Sequence, residues 1–239
     1  MNKQNLTKDD YLKKEKQFYE LLTSALQTDI LLYCVTGSLA RNEIIPGWSD
    51  IDVLLVIKDY TPSLMEKISD VLYTTEGEIK IGTSIFSLEE FNHKYFKDSK
   101  TYISTSLLKQ GYYKPRIIDP CIVLQAQDES LRKYMNIYDF ARFNHDLKRE
   151  LLRNPEEYDE KKVYKLAIIL LKIALFEKNV VTFGYPETLQ KATEVLEGFA
   201  ERLVAPDIIM NTPENKAKRY NDYVHMFEWI RKNINAVFQ

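Results

Sequence analysis

Cysteine is scarce in this chain. Cys34 and Cys121 are the only two in 239 residues, each in an apolar run with no second Cys or His at metal-ligand spacing. That excludes a disulfide-stapled scaffold and offers no zinc pattern, so a reducing, cytoplasmic setting is expected. Glycine (7) and proline (8) are also sparse, which excludes collagen-like and low-complexity chains. Neither sign of charge dominates: 33 Lys and Arg against 35 Asp and Glu leave a formal charge of -2. Without a global basic field a polyanion cannot be held by charge alone, and nucleic acid is not the expected partner. No stretch approaches the ~20 apolar residues of a membrane span. The longest candidate, 163–176, is interrupted by Lys165 and Lys172, and the first ten residues are polar, unlike a signal peptide. His93, His145 and His225 are scattered, without ligand spacing.

What the chain does have is an ordinary globular balance, 45% hydrophobic and 28% charged, at a length that suits two domains better than one. Residues 9–26 place Tyr11, Phe18, Leu21, Leu22 and Leu26 at helical spacing. Buried strands are expected at 30–35 and 51–57, and a third at 78–86 after the Glu76-Gly77 turn. Pro62 suits the first turn of a helix over 61–72, and Ser87 with Glu90 forms a capping-box pattern for one over 87–96. Short apolar runs on either side of Asp119-Pro120 could add an edge strand or hairpin. Beyond about residue 127 the pattern is helical only, over 129–153, 159–179, 186–203 and 216–237, punctuated by prolines. The fold class expected is α+β: a small mixed sheet with flanking helices in residues 1–127, then an all-α helical bundle in 128–239. Apolar helical faces there also make a homodimer conceivable, although core burial accounts for them equally well.

The chemistry-bearing stretch runs from Cys34 to Val56. Strand alternation puts Asp50 and Asp52 on one face, roughly 6.5 Å apart, with Ile51 and Val53 on the other. Carboxylates in apolar context are costly unless compensated, and a hard divalent cation with oxygen ligands is the natural compensation. Gly37 permits close backbone approach at the end of the first strand, and Ser38 can open a helix whose free amides face an anion. Together these would hold a metal-bound triphosphate. Arg41 and Ser49 flank the same loop and have plain surface and turn-forming readings as well. Tyr112-Tyr113, ahead of Arg116, is the one local aromatic cluster suited to line a pocket.

Gly37-Ser38, the Ala40-Arg41 step and Ser49-Asp50-Ile51-Asp52 resemble the Gly-Ser signature of the DNA polymerase beta-like nucleotidyltransferase superfamily. In that pattern Gly-Ser is followed, a short loop later, by Asp-x-Asp or Asp-x-Glu. The familiar Ala-Arg-Gly step stands here as Ala40-Arg41-Asn42, and Asn tolerates left-handed backbone next best. The resemblance implies that Asp50 and Asp52 bind Mg²⁺ and that Gly37, Ser38, Arg41 and Ser49 serve the nucleotide. The implied reaction transfers a nucleoside monophosphate, AMP for preference, from an NTP to an acceptor hydroxyl. A third carboxylate on the following strand usually completes such sites. No acid occupies the middle of that strand here, so Glu78 at its edge is the nearest candidate for the catalytic set.

The helical half resembles, more loosely, the bundle of antibiotic and minimal nucleotidyltransferases. On its central helix Lys165 and Lys172 share a face, so Lys165 is a candidate phosphate contact. The acceptor this implies is a small molecule, aminoglycoside-like or lincosamide-like. The alternatives are a catalytically degenerate nucleotide-binding or antitoxin-like module, motivated by the missing strand acid, and an enzyme that adenylylates a partner protein.

Overall fold

The structure, a computed structural model, describes residues 6–93, 97–124, 129–199 and 202–238. The chain divides into two compact units, Met1–Lys97 with Ser104–Gln127, and Asp98–Ile103 with Asp128–Gln239. The expected change of texture at residue 127 itself lies outside the described residues.

In the first unit, α1 (Lys8–Leu26) leads through a short 3₁₀ turn into β1 (Ile30–Thr36), α2 (Gly37–Ala40) and β2 (Ile51–Ile57). Then follow α3 (Pro62–Thr74), β3 (Ile81–Ser87) and α4 (Leu88–Asn92). After α5 (Ser99–Lys109), which begins in the second unit, comes a two-residue strand, β4 (Ile117–Ile118). The four strands form one mixed sheet in the order β3-β2-β1-β4. β1 is antiparallel to β2 and β4, while β2 and β3 run parallel.

One face of the sheet carries the core. Ile51, Val53, Leu55 and Ile57 of β2 pack with Phe18, Leu22 and Leu26 of α1 and Leu64, Ile68 and Val71 of α3. Leu54 and Val56, on the opposite face of β2, are buried as well. Burial on both sides explains why β2 reads as a continuous apolar run rather than an alternating one. Asp52 is the polar member of that second face.

The buried stripe of α1 also contains Glu15, only 2% exposed. Its carboxylate accepts from Tyr33 Oη of β1 at 2.9 Å and pairs with the Arg116 guanidinium just ahead of β4. Arg116 also stacks over Tyr19, 4.7 Å from the ring centroid, and its N–H donates to the Tyr33 carbonyl at 2.9 Å. A buried carboxylate is costly unless its lone pairs are met, and here they are. The cluster ties helix, strand and edge together.

The second unit contains α6 (Glu129–Leu151), α7 (Glu160–Glu177), α8 (Tyr185–Val195), α9 (Pro206–Asn211) and α10 (Lys216–Phe238). α7 packs against α6, α8 and α10, and nearly all its apolar side chains are buried. A bidentate pair, Arg219 Nε and Nη2 on Glu160 at 2.6 and 2.9 Å, joins α10 to the start of α7. Among the described residues no helix is long and apolar enough to cross a membrane.

Several expected boundaries move. The third strand begins at Ile81 instead of residue 78, since residues 77–79 form bends. The Ser87–Glu90 capping box forms as expected, with Glu90 N–H on Ser87 Oγ at 3.1 Å and Ser87 N–H on Glu90 Oε2 at 2.9 Å. Its helix nonetheless stops at Asn92, and residues 94–96 of the expected segment are outside the described ones. The helix expected over 186–203 ends at Val195, because Leu196 turns extended and Gly198 takes φ +69°.

Replacing Arg116 with Met leaves the Glu15 carboxylate, 3% exposed, without its cation. Because Arg116 is 43% exposed and water can partly substitute, the expected loss is about 2–3 kcal/mol rather than the full penalty of a broken buried pair. Glu15→Gln should cost less, about 1 kcal/mol, since the amide oxygen still accepts from Tyr33. Urea unfolding of both variants decides the order, and a smaller loss for the Arg116 variant would contradict this account.

Candidate active site

The site is built where β1 stops. Thr36, its last residue, is paired with Asp52 of β2. Gly37 then turns the chain with φ +67°, a conformation that favours glycine. A Cβ on Gly37 would lie 2.4 Å from Asp52 Oδ2, so only a residue without a side chain lets the two meet. On the other flank Asp52 is in register with Gly82 of β3, where a Cβ would sit 3.6 Å from Oδ1. The Asp52 carboxylate therefore lies between two glycines.

Ser38 is half-buried at the start of α2, and its carbonyl accepts the Glu43 N–H at 2.9 Å. Asn42 closes that helix with φ +62°, the left-handed geometry for which Asn was expected to stand in for Gly. The loop back to β2 is pinned at several points. Ser49 Oγ accepts from Ile45 N–H at 3.0 Å, and Tyr11 Oη accepts from Gly47 N–H at 3.1 Å while donating to the Ser49 carbonyl at 3.2 Å. Lys8 Nζ donates to the Asn42 carbonyl at 2.8 Å. Ser49 thus commits one acceptor position of its hydroxyl to the turn. Asp50, half-buried, stands one residue before β2. Burial, with a smaller contribution from the Asp50 charge, raises the Tyr11 phenol above its ordinary pKa.

One neighbour could not be placed from sequence. Tyr113, 4% exposed, accepts from Gly37 N–H at 3.3 Å and from Arg41 Nη1 at 3.2 Å. Arg41 also donates through Nε to Glu43 Oε2 at 2.8 Å. Burial raises the Tyr113 pKa against the opposing pull of Arg41, and the Asp52 charge adds to the rise. Of the aromatic cluster singled out in the sequence, only Tyr113 reaches this site: Tyr112 is 53% exposed, and Arg116 belongs to the Glu15 cluster.

One candidate falls elsewhere in the first unit. Glu78 is exposed, lies ahead of β3, and lines a groove with Leu6, Asp10 and Lys13 at the side of α1. The parallel register gives the place beside Asp52 to Gly82, so Glu78 is not the strand acid it was expected to be. Lys165 is exposed on α7, within the second unit. Lys172, on the same helix, directs its ammonium to the Phe183 carbonyl at 2.6 Å.

Among the described residues, no group of three or more His, Cys, Asp or Glu is placed to hold a metal ion. Asp50 and Asp52 are hard oxygen donors of the kind a small cation takes together with phosphate oxygens and water, and the Gly37 turn lies directly against the second of them. The first unit thus presents a glycine turn against an acid on an adjacent strand, with an arginine joined to the turn through Tyr113. The family model for the nucleotidyltransferase domain matches residues 16–219, and the chain belongs to that family, within the polymerase beta-like superfamily. No curated protein matched the chain.

Gly37→Ala forces a left-handed L-residue, about 1–2 kcal/mol, and pushes its Cβ against Asp52. Urea unfolding should show at least that loss; a neutral substitution would contradict the close approach.

Proposed function

We propose that the protein is a Mg²⁺-dependent nucleotidyltransferase that moves an NMP, AMP for preference, from an NTP to a hydroxyl of a small molecule and releases pyrophosphate. The observation that supports this reading is the close approach of the Gly37 turn to the half-buried Asp52 carboxylate. Family membership supports nucleotidyl transfer in general terms. Asp50 and Asp52 would hold the metal, with the Gly37 amide, Ser38 and Arg41 directed at phosphate. When bound, Mg²⁺ neutralises charge on the phosphates and favours in-line displacement. The protein's own contribution is positioning: Tyr11 fixes the loop that carries Asp50, and the β1–β2 register fixes Asp52. Aminoglycoside-like and lincosamide-like hydroxyl compounds are the acceptors to try first.

A second reading, nucleotide binding without turnover, is favoured by one specific observation. On the face of β3 shared with Asp52 stand Gly82 and Ser84, with no acid to serve as base.

Calorimetric titration with ATP and Mg²⁺, followed by pyrophosphate release with a panel of acceptors, separates the readings. Asp50→Asn and Asp52→Asn should each lower pyrophosphate release on the order of 100-fold and weaken metal-nucleotide binding. Binding without release by the unmodified protein would favour the second reading, and release only in the presence of a protein acceptor would favour adenylylation of a partner. Unchanged binding in both variants would overturn the assigned roles.

A further inference from the structure

We propose that Tyr113 is a built-in occupant of the phosphate seat: its hydroxyl holds the Gly37 amide and the Arg41 guanidinium until an anionic oxygen displaces it. This rests on the nucleotide reading above and adds a residue that sets how tightly, and on what terms, the nucleotide is taken.

The argument is one of donors and acceptors. A phenolic oxygen can accept two hydrogen bonds and donate one. Here both acceptor positions are used, by Gly37 N–H at 3.3 Å and Arg41 Nη1 at 3.2 Å. Gly37 lies against Asp52, at the turn where a triphosphate bound to that acid would need donors, and the shared phenol brings Arg41 to the same amide. Both contacts are at or beyond the long end of the usual ~2.7–3.2 Å for N–H···O, whereas charged acceptors draw such donors to ~2.7–2.9 Å. A phosphate oxygen therefore outcompetes the neutral phenol for the same pair. Without the phenol, a desolvated amide and a cation that is 13% exposed would be left wanting acceptors. Tyr113 thus satisfies the empty seat and must release it on loading, so part of the gross binding strength is spent on exchange. Glu43, on the other edge of the guanidinium at 2.8 Å, keeps Arg41 nearby as the exchange occurs.

The test is Tyr113→Phe, which keeps the buried ring and removes only the contested oxygen. Isothermal titration is run with ATP plus Mg²⁺ and, separately, with inorganic tripolyphosphate plus Mg²⁺. The expected result is a Kd roughly 3- to 10-fold lower than that of the unmodified protein for both probes, the worth of one ordinary hydrogen bond no longer lost in exchange. In an Arg41→Met background the gain should shrink, since one of the two contested donors is gone. A merely structural tyrosine would lower the melting temperature without tightening either probe. Equal or weaker binding by the Phe variant, with the unmodified protein binding normally, would overturn the proposal and leave the nucleotide reading standing. Failure of both proteins to bind either probe would overturn the two together. Should the Phe variant not fold, Tyr113→Leu, also without the hydroxyl, gives the same comparison.

Discussion

The register between β1 and β2 is the constraint on which the rest depends. Thr36 opposite Asp52 brings the carboxylate to the residue where β1 ends and Gly37 turns. Because side chains alternate with a period of two, a slip of one residue would direct Asp52 toward the face packed by α1 and α3 and expose Ile51 and Val53 on the other. Both changes are heavily unfavourable: one desolvates a charge, the other returns apolar surface to water. The apolar pattern of β2 therefore does more than stabilise the sheet, because it fixes where an acid can stand. The one irregularity in the pairing, between Ile30 and Leu32, lies at the far end of β1, away from the turn.

Two buried tyrosines secure the loop that this register leaves behind. Tyr11 holds it near its return to β2, bonding to Gly47 and Ser49, and Tyr113 holds its start, at Gly37 and Arg41. Burial is the leading reason both phenols have raised pKa values, so both remain neutral hydroxyls. A hydroxyl suits such a place because it accepts and donates at once. A carboxylate there would stand near the acids of the site and repel them, and an ammonium would compete for the same oxygens that a cation needs.

Much of this was legible from the amino-acid order, and the limits have physical causes. β1, β2 and the Gly37-Ser38 turn were visible because apolar runs bounded by a glycine are local signals. The cap at Ser87 was legible for the same reason: it is a contact within one helical turn. The start of β3 was misplaced because Glu78 and Lys80 continue an alternation that the backbone does not follow. Ile79 is buried in the core shared with α1 and α3, but residues 77–79 are bent, and the ladder begins only at Ile81. α5 has a weakly patterned mixture of Ser, Thr and Leu and gave no clear period. Tyr113 was suggested only as a pocket lining, and its contacts could not be foreseen because its partners are Gly37 and Arg41, far away along the chain. The Tyr112-Tyr113 pair stood out among 16 tyrosines as a local cluster, but nothing local tells which of the two turns inward or what it meets.

The glycine opposite Asp52 bears on how such a site would work. At Gly82 an added Cβ meets Asp52 Oδ1 at 3.6 Å, an ordinary contact, so sterics do not forbid a side chain there. The lack of an acid at this point of β3 is thus a chemical property of the chain, with no packing necessity behind it. On the proposed reading, two carboxylates leave most of a magnesium shell to be filled by water and by the nucleotide's own phosphates. Metal and nucleotide must then strengthen each other's binding by the same factor, since each completes what the other lacks. A site with three acids can hold its metal alone, whereas one with two gains its affinity chiefly when the triphosphate arrives. The exchange at Tyr113 follows the same logic, because Gly37 and Arg41 have an acceptor of their own until that anion is present.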